Sequence, residues 1–466
     1  MITGGPREAC GIFGIHSPGE DVARITFFGL YALQHRGQES AGIATSDGHD
    51  LKIRTGMGLV AQVFVEEDLK DLSGGRIAIG HTRYSTTGSS RIGNAQPLAI
   101  DGELGTLALA QNGNIVNASS LKEQLEPIHH FTTSTDAEII AKLIASSIGR
   151  TWEEKIARAM PRLQGAFSLV ILTKDSLIGV RDPMGIRPLC LGKLDGGWVL
   201  ASESCALDTV GAQFVREVEP GEVIVIDQWG VRSNLATVSE RRALCVFEFI
   251  YFARPDSLIN GRLLYLARQE MGAQLAREYP VDADLVIAVP DSAVPAGIGY
   301  AKESGIPYSE GLIKNRYIGR TFIQPNQRMR ELGVKIKFNP LLEALNGKRL
   351  VVLDDSIVRG TTTPRVVSLL RKAGAAEVHM RICAPPIRHP CFFGVDMASR
   401  NELIAARKSV EEIARFIGVD SLGYLSLDGL IKAVGLPGED FCLACFTGRY
   451  PIPVQLEMDK LVLERQ

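Results

Sequence analysis

The 466-residue sequence predicts two domains of different class, a layered α+β domain followed by a doubly wound α/β domain. A chain of this length exceeds what one hydrophobic core usually organises. In the first half, short apolar runs bounded by Gly, Asp, Ser or Pro predict many strands grouped with few helices, which is typical of α+β domains. In the second half, nearly continuous β-branched runs alternate with helix-like segments, as in a parallel sheet covered on both faces.

The first half contains eight predicted strands and two predicted helices. Helical spacing occurs at 21–35 and at 136–149, and the polar cluster TTSTD before the second helix is a good N-cap signal. The predicted strands are, in chain order, CGIFGIHS, AGIATSD, RIAIGHTRYS, LGTLALAQNG, FSLVILTKD, LIGVRD, WVLASES and EVIVIDQ. We place this domain at residues 10–230, after a nine-residue leader at 1–9 that we interpret as a propeptide.

The second half carries three predicted buried strands, LVIAVP, RLVVLDD and EVHMRICAP. Helix-like segments separate them, which favours the βαβ connections of a parallel sheet. We place this domain at residues 261–466 and the linker at 231–260. Residues 400–440 are predicted to be helical and amphipathic, with no chemistry that their side chains indicate.

Composition excludes several classes of function. The net charge of -2, from 51 basic and 53 acidic residues, lacks the basic excess of a nucleic-acid-binding protein. No apolar run approaches the roughly 18 residues needed to span a membrane. The leader MITGGPREA lacks the apolar core of a secretory signal and is too short to indicate plastid import, so we expect a cytoplasmic protein. Its eight cysteines are therefore expected to serve chemistry or metal ligation rather than a disulfide framework.

Cys10 lies directly after the leader and directly before the first predicted strand. If residues 1–9 were removed, Cys10 would gain its own α-amino group, whose pKa of about 7.7–8.0 suits proton transfer near neutral pH. The leader would then mask a catalytic base until it is cleaved. The alternative is a structural cysteine near the first strand.

Five polar stretches follow Cys10 at predicted loop positions, where functional sites are commonly built. They are QHRGQESAG (34–42), GHTRYSTTG (80–88), QNGN (111–114), STD (134–136) and RDPMGIRPL (181–189). Any one of them alone is compatible with a solvated turn. Together with Cys10, and in this order, they resemble the glutaminase domain of the class II, or N-terminal nucleophile, glutamine amidotransferases. This resemblance implies a fold of four αββα layers.

The resemblance also implies roles for six residues. Cys10 would attack the side-chain amide of glutamine to form a thioester, which water then hydrolyses to glutamate. The Asn112 side chain and the Gly113 backbone N–H would form the oxyanion hole. The residues implied in glutamine binding are Arg83 for the α-carboxylate, Asp136 for the α-ammonium group and Gly37 close to the nucleophile.

The stretch RLVVLDDSIVRGTTTPRVVSLLRKAG (349–374) predicts a phosphate site in the second domain. A strand ends at two carboxylates, and a small-residue loop then enters a helix with Pro364 at its expected first position. Backbone N–H groups at such a helix start bind phosphate, while Asp354 and Asp355 could accept sugar hydroxyls or hold Mg²⁺. The alternative is an acidic helix entrance without a ligand. The P-loop pattern G-x-x-x-x-G-K-[ST] does not occur.

This stretch resembles the phosphoribosyl pyrophosphate (PRPP) signature of the type I phosphoribosyltransferases. By that resemblance, Ser292 in the loop VPDSAVPAG (289–297) would bind one Mg²⁺ together with Asp354 and Asp355. The basic stretch 313–339 would be a mobile flap, with a solvated surface loop as its alternative. The residues implied in PRPP binding are Asp354, Asp355, Ser356, Arg359, Gly360, Thr361, Thr362, Thr363, Asp291, Ser292, Lys314, Arg316 and Arg320.

The two domains in this order resemble the family of glutamine PRPP amidotransferases over nearly the whole chain. The resemblance implies the first committed step of de novo purine biosynthesis, in which ammonia from glutamine passes through a closed apolar passage to C1 of PRPP. The products would be 5-phosphoribosylamine, glutamate and diphosphate. It further implies a homotetramer that purine nucleotides inhibit by feedback, with no nucleic-acid or membrane partner.

Cys442 and Cys445 have C-x-x-C spacing, which alone is compatible with zinc, a redox pair or core thiols. Members of the resembled family that carry a processed leader often hold a [4Fe-4S] cluster, and Cys245 and Cys391 fall where its two remote ligands would be. Four thiolates satisfy such a cluster but also a tetrahedral zinc site, so zinc stays the alternative. The cysteines predicted to lie in the core are Cys190, Cys205 and Cys383.

Three other functions are compatible with parts of the sequence. An amidotransferase that aminates a sugar phosphate or aspartate would share the first domain but lack the PRPP loop. A non-catalytic PRPP-sensing regulator would carry a basic nucleic-acid-binding appendage and a disrupted nucleophile site. A degenerate, inactive paralogue would have lost some of Cys10, Arg83, Asn112 and Asp136, all of which are present.

Overall fold

The structure is a computed structural model that describes residues 10–85, 87–315, 338–397, 399–454 and 462–464. The predicted leader, and Arg316 and Arg320 of the predicted flap, lie outside the described residues. In the described part of the chain, every helix is too short or too polar to cross a bilayer.

The first half of the chain folds into two antiparallel sheets. One has seven strands in the order β11-β9-β10-β1-β4-β2-β3, and the other has six in the order β13-β12-β8-β7-β6-β5. In chain order the strands are β1 (Gly11–His16), β2 (Ser40–Ser46), β3 (Leu51–Met57), β4 (Ile77–Arg83), β5 (Leu98–Gly102), β6 (Gly105–Ile115), β7 (Gly165–Leu172), β8 (Leu177–Arg181), β9 (Cys190–Leu194), β10 (Gly197–Ala201), β11 (Gln213–Glu217), β12 (Glu222–Asp227) and β13 (Gly230–Leu235).

Seven helices accompany these sheets, and three separate apolar cores show how the layers stack. One core lies between the two sheets, one between the seven-stranded sheet and α1 and α7, and one between the six-stranded sheet and α4 to α6. This is the predicted αββα arrangement. The helices are α1 (Val22–Ala32), α2 (Val60–Val63), α3 (Glu66–Asp71), α4 (Ala118–Leu125), α5 (Asp136–Ser146), α6 (Trp152–Ala159) and α7 (Ser204–Thr209).

The sequence of strand β1 is apolar at nearly every position because both faces of the strand are buried. Successive side chains point to opposite faces of a sheet. Ile12 therefore belongs to the core between the sheets, while Phe13 and Ile15 belong to the core beneath α1 and α7. Because both faces are buried, β1 is fixed in its layer, and Cys10 is held at its beginning.

The helix starts differ from the prediction in two details. Helix α5 begins at Asp136, but the Thr135 side chain makes no capping bond; instead, the Glu138 carboxylate accepts the N–H of Thr133 at 2.7 Å. The helix after the predicted phosphate loop begins at Thr363, so Pro364 occupies its second position rather than its first. In both helices the residue concerned lies in the first turn, where the helix leaves N–H groups free: Glu138 in the helix that begins at Asp136, and Pro364 in the helix that begins at Thr363.

The second half forms a parallel α/β unit with several short additional elements. Its strands are β14 (Leu244–Cys245), β15 (Leu258–Ile259), β16 (Arg262–Leu263), β17 (Leu285–Ala288), β18 (Leu312–Lys314), β19 (Phe338–Pro340), β20 (Arg349–Asp354), β21 (Glu377–Ile382), β22 (Ser421–Tyr424) and β23 (Phe441–Cys442). Its α-helices are α8 (Leu264–Glu278), α9 (Val294–Ser304), α10 (Leu342–Leu345), α11 (Thr363–Lys372), α12 (Val410–Ile417), α13 (Leu427–Val434) and α14 (Ala444–Thr447). A π-helical turn spans Glu248–Phe252, and 3₁₀ turns span Ile92–Asn94, Met160–Arg162, Arg400–Glu402, Ile404–Ala406, Gly438–Asp440 and Val462–Glu464.

The central parallel sheet reverses its winding direction between β17 and β20. The strand order is β17-β20-β21-β22, and Tyr308, which follows α9, pairs in parallel with Val286 on the other side of β17. The chain therefore winds outward from β17 on one side and from β20 on the other, which confirms the doubly wound class. Open α/β sheets bind ligands at the carboxyl ends of the strands at such a switch point.

A buried ionic network joins the two halves. Arg36 Nη2 donates to Glu248 Oε1 at 2.8 Å, and Arg187 Nη1 donates to the same oxygen at 3.1 Å. Arg36 also pairs with Glu203, and all four side chains are fully buried. Glu248 comes from the π-helical turn, whereas its partners come from the first half. The network therefore fixes this segment against the first domain.

Replacing Glu248 by leucine is expected to destabilise the protein strongly. The change leaves Arg187 without its carboxylate partner in a site with no access to water, and breaking a buried ion pair costs about 3–5 kcal/mol. Thermal unfolding of Glu248→Leu should show a clearly lower Tm. The matched control is Glu66→Gln, whose pair with Arg24 is half-exposed, and we expect no measurable shift there. Equal Tm values for the two variants would contradict the prediction.

Candidate functional sites

The first candidate site is a small pocket where several elements of the first domain converge. Cys10 precedes β1, Arg83 ends β4, and the two strands pair side by side with Gly11 opposite Thr82. Strand β6 and the start of α5 close the other side. The pocket is lined by Cys10, Arg83, Tyr84, Thr87, Gln96, Gln111, Gly113, Thr135 and Asp136.

The Cys10 thiol is buried and held by the backbone of Tyr84. Its Sγ donates to the Tyr84 carbonyl at 3.2 Å, and the Tyr84 N–H donates back to Sγ at 3.4 Å. Arg36 Nε donates to the Cys10 carbonyl at 3.2 Å. Burial raises the pKa of the Cys10 thiol, and the bond to Tyr84 and the charge of Arg83 offset this only in part. The thiol is therefore protonated at neutral pH and needs a base to become a nucleophile.

The raised pKa of Cys10 predicts slow alkylation of the unprocessed chain. Iodoacetamide reacts with the thiolate, so below the pKa the rate should increase by about tenfold per pH unit across pH 7–9. The rate is followed by the mass of the peptide that contains Cys10, with N-acetylcysteine as the unburied reference. At pH 7 Cys10 should react more slowly than the reference. A rate that levels off below pH 8 would indicate a lowered pKa instead.

The two predicted oxyanion donors lie in different surroundings. Gly113 lines the pocket, whereas Asn112 is its neighbour on β6 and does not. The Asn112 amide is completely buried and has no hydrogen-bond partner among the described residues, at either Nδ2 or Oδ1. A buried amide without a partner costs free energy, so this side chain is one that a ligand or a local rearrangement could satisfy.

The two predicted glutamine-binding charges both lie in the pocket, with protein groups as their present partners. Arg83 Nη1 and Nη2 donate to the carbonyls of Ser89 and Thr87, each at 3.1 Å. Asp136 Oδ2 accepts from Gln111 Nε2 at 2.9 Å. Burial lowers the pKa of Arg83 and raises that of Asp136, because both charges are removed from water.

Gly37 does not line the pocket but supports it from behind. A Cβ at Gly37 would lie 2.5 Å from the carbonyl carbon and oxygen of Thr82. Since Thr82 precedes Arg83 at the end of β4, a larger residue at position 37 would displace the strand end that carries Arg83. The structure therefore places Gly37 next to the backbone of the site.

Sequence reasoning did not identify five of the pocket residues. Tyr84, Thr87, Gln111 and Thr135 lie in motifs that were singled out, but no role was assigned to them. Gln96 carried no signal, although its Oε1 accepts the Gln111 N–H at 2.9 Å and so holds β6 in place.

The motif RDPMGIRPL (181–189) does not line the pocket. Arg181 instead donates to carbonyls around its own turn, including Gly185 at 3.1 Å and Arg187 at 2.9 Å. These bonds hold the turn that directs Arg187 into the buried ionic network. The motif therefore contributes to the contact between the domains.

The second candidate site lies at the carboxyl ends of β17 and β20, at the switch point of the parallel sheet. Asp354 ends β20, and its Oδ1 accepts the Asp355 N–H at 2.9 Å. Asp355 accepts the Ser292 hydroxyl at 2.5 Å on one oxygen and the Ser356 hydroxyl at 2.6 Å on the other. The three predicted magnesium ligands thus come from two neighbouring loops and meet at one sheet edge.

Of the remaining predicted PRPP residues, those that the structure describes lie on the loop that leads into α11 or on the segments from Asp291 and Lys314. Thr361 to Thr363 lead into α11, with Thr362 at its N-cap, and Gly360 has a φ of +67° in the loop before them. Lys314 forms an ion pair with Asp291, so the start of the predicted flap touches the loop 289–297 that carries Ser292. Arg359 pairs with Glu402 at 2.7 Å.

The four cysteines at 245, 391, 442 and 445 gather at the contact between the domains. Cys245 and Cys442 lie directly opposite each other on the parallel strands β14 and β23, and Cys445 follows in α14. Burial raises the pKa of Cys442, and the Cys245 and Cys391 thiols raise it further. No three potential ligands among the described residues are arranged so that they could hold a single metal ion.

Two known domain families match separate parts of the chain. A glutamine amidotransferase domain matches residues 81–209, and a phosphoribosyl transferase domain matches residues 256–387. The first range includes Arg83 but begins after Cys10, and the second includes Asp355. Each candidate site therefore draws residues from one of the two matched domains.

Similarity to curated proteins and solved structures extends over nearly the whole chain. The amidophosphoribosyltransferase of Synechococcus elongatus is 54% identical over 98% of this chain and 95% of that protein. The corresponding protein of Archaeoglobus fulgidus is 52% identical over 96% and 98%. A structure of glutamine PRPP amidotransferase from B. subtilis, complexed with ADP and GMP, has a TM-score of 0.91 and 47% identity, covering 98% of this chain and 100% of that one.

Proposed function

The chain belongs to the amidophosphoribosyltransferase family of purine biosynthesis, and we propose that its reaction is divided between the two candidate sites. Glutamine and PRPP are its substrates, as the two matched domains indicate. Glutamine would be hydrolysed at Cys10, and the ammonia released would replace diphosphate at C1 of PRPP beside Asp354 and Asp355. The observation that carries the first half of this proposal is the buried Asn112 amide, whose polar atoms have no partner among the described residues.

Glutamine recognition depends on two buried opposite charges. The Arg83 guanidinium can bind the α-carboxylate and the Asp136 carboxylate the α-ammonium group of an amino acid. Both side chains are more than nine-tenths buried, so each is poorly solvated until the ligand arrives. The zwitterion of glutamine would replace the present protein partners of Arg83 and Asp136. Because the pocket offers one charge of each sign, it favours a free α-amino acid over a peptide.

Hydrolysis proceeds through the thiol once a base is available. Removal of residues 1–9 would give Cys10 an α-amino group that accepts the thiol proton and later returns it to the departing ammonia. Sγ would form a bond to the carbon of the glutamine side-chain amide, and the amide oxygen would gain negative charge. The Gly113 N–H and Asn112 Nδ2 would stabilise that charge. Water then attacks the thioester, which releases glutamate and restores the thiol.

The second step needs positioning and charge neutralisation more than a base. Ammonia is already a nucleophile, and it forms a bond to C1 while the C1–oxygen bond to diphosphate breaks. The N–H groups at the start of α11 can bind the 5-phosphate. Asp354, Asp355 and Ser292 present oxygen ligands at one edge, which fits one Mg²⁺ shared with substrate phosphates. That ion would neutralise the departing diphosphate.

We propose a [4Fe-4S] cluster at Cys245, Cys391, Cys442 and Cys445. The four thiols lie close enough to interact electrostatically, which a cluster or a zinc site would each require, and the resemblance to amidotransferases with a processed leader favours the cluster over zinc. The cluster would have a structural or redox-sensing role, since the reaction transfers no electrons. Anaerobic purification followed by iron, sulfide and zinc analysis tests this: four irons per chain support it, and one zinc per chain contradicts it.

One experiment tests the division of labour between the sites. Intact mass is measured with glutamine- and PRPP-dependent diphosphate release. We expect loss of residues 1–9 and release that requires both substrates. An active protein that retains its leader would contradict the proposed base at Cys10. A processed protein without PRPP-dependent turnover would indicate a different acceptor.

Assembly, regulation and compartment form a further proposal by analogy with the relatives. The B. subtilis protein is described in complex with ADP and GMP. We propose a homotetramer in the cytoplasm that purine nucleotides inhibit. Light scattering with and without AMP, ADP and GMP, read together with initial rates, tests assembly and inhibition. A monomer that nucleotides leave fully active would contradict both.

A further inference from the structure

The segment from Cys391 to Gly394 connects the four cysteines to the backbone of the proposed oxyanion hole. Gly394 lies against Gly113 of β6: a Cβ at Gly394 would be 2.9 Å from both the Cα and the carbonyl carbon of Gly113. Gly394 also has a φ of +95°, which side chains other than glycine rarely adopt. The contact is between two backbones, so no side-chain rotation can relieve it.

Two side chains of the first domain hold the same segment in place. Asn114 Nδ2 donates to the Phe392 carbonyl at 3.0 Å. Arg187 donates to the Phe393 carbonyl from Nε at 3.0 Å and from Nη2 at 2.8 Å. Arg187 is fully buried and tied to the interdomain ionic network. The segment therefore cannot shift without breaking buried, charge-assisted hydrogen bonds.

Asn114, which follows Gly113 on β6, also reaches the glutamine side of the pocket. The Asn114 amide oxygen accepts the hydroxyl of Thr87, whose carbonyl binds Arg83. Asn114 thus holds Phe392 with its nitrogen and the Arg83 loop with its oxygen. The segment and the glutamine-binding loop are fixed by one side chain that lies next to Gly113.

We propose that Gly394 is a positioning residue for glutamine hydrolysis: it holds the Cα and carbonyl carbon of Gly113 from behind, and through them the N–H of the same residue, although it lies in the second half of the chain and does not line the pocket. The proposal rests on the proposed function of Gly113 as an oxyanion donor. Such donors act because they are fixed before the reaction, and displacing a reacting group by 1 Å can lower a rate by about 10²-fold. The second domain thereby controls how well the first can hydrolyse glutamine.

The test compares Gly394→Ala with Gly418→Ala in the full-length processed protein. Gly418 also has a positive φ, of +78°, but a Cβ there would meet no atom within 4 Å, so it controls for backbone strain alone. We expect kcat for glutamine hydrolysis to fall by about 10²-fold in Gly394→Ala, with KM for glutamine changed by less than about threefold. Ammonia-dependent diphosphate release and the alkylation of Cys10 by iodoacetamide should match the unmodified protein, since neither uses the oxyanion hole. Gly418→Ala should match it in every assay.

Three outcomes would overturn the proposal. The first is an unchanged kcat for glutamine hydrolysis in Gly394→Ala. The second is a loss of ammonia-dependent diphosphate release as large as the loss of glutamine hydrolysis, which would indicate general damage to the protein. If Gly394→Ala does not fold, Asn114→Asp is measured instead, because this variant keeps the acceptor for the Thr87 hydroxyl but loses the donor to the Phe392 carbonyl. The third outcome is an unchanged kcat for glutamine hydrolysis in Asn114→Asp. The proposed function is tested separately with Cys10→Ala: glutamine hydrolysis that survives this change would refute the nucleophile itself.

Discussion

Replacing Cys10 by alanine is expected to abolish glutamine-dependent synthesis of phosphoribosylamine while ammonia-dependent synthesis continues. Alanine removes the sulfur that forms the thioester, and loss of a covalent nucleophile lowers kcat by at least about 10⁴-fold. The proposed PRPP site draws on β17, β20 and α11, and within the described part of the chain no hydrogen bond joins these elements to Cys10. Diphosphate release is measured with glutamine and, separately, with ammonium chloride at high pH, where more of it is free ammonia.

The control for this variant is Cys190→Ala. Cys190 is also a buried thiol of the first domain, on β9, and its Sγ donates to the Ala201 carbonyl at 3.3 Å. It does not line the pocket, so both activities should persist, apart from the stability lost with a small core side chain. Equal loss of glutamine-dependent activity in the two variants would mean that Cys10 serves packing. Loss of ammonia-dependent activity in Cys10→Ala would mean that the two sites are not separable.

The sequence predicts which segments form the first candidate site because several of its residues lie at the end of a recognisable strand or at the start of a helix. Arg83 ends β4 and Asp136 begins α5, and hydrogen bonds from Gln111 Nε2 and the Ile115 N–H hold Asp136 against β6. Side-chain direction was less predictable. Asn112 and Gly113 are neighbours on β6, yet only Gly113 lines the pocket, and the Asn112 amide is buried without a partner among the described residues. The motif therefore indicates the loop but not the orientation of each amide.

Contacts between distant segments could not be predicted at all from one sequence. Asn114 and Phe392 are 278 positions apart, and nothing in the local pattern around either residue indicates the other. The same holds for Glu248, which lies in the predicted linker but is completely buried between Arg36 and Arg187. Local sequence fixes strands, turns and helix starts, whereas such contacts depend on how two finished domains pack.

The switch point of the second domain could be predicted from the sequence only in part. The runs at β17, β20 and β21 were predicted as buried strands, and parallel strands place their carboxyl ends at one edge. The position of Tyr308 beside Val286, which sets the direction of winding, had no sequence signal. The prediction that Asp354 and Ser292 meet therefore came from the family resemblance, and the sheet order provides its physical reason.

Replacing Asp355 by asparagine is expected to remove both glutamine-dependent and ammonia-dependent synthesis. Asp355 accepts hydroxyls from Ser292 and Ser356 on its two oxygens, and so joins the two loops of the proposed PRPP site. Asparagine keeps one acceptor, but its NH₂ group cannot accept a hydroxyl, and it brings no negative charge for Mg²⁺. Loss of a positioned charge in such a site lowers kcat by about 10²–10³-fold.

The matched control is Asp284→Asn at the opposite, amino end of the same sheet. The Arg349 side chain and N–H hold the pKa of Asp284 at about 2, so this carboxylate is also bonded and ionised, but it faces away from the switch point. We expect near-normal rates there. In Asp355→Asn, glutamine hydrolysis measured without PRPP should persist, because Cys10 and Arg83 keep their surroundings. If ammonia-dependent diphosphate release survived in Asp355→Asn, the carboxylate would have no role in binding PRPP, and the loop would be only an acidic entrance to α11.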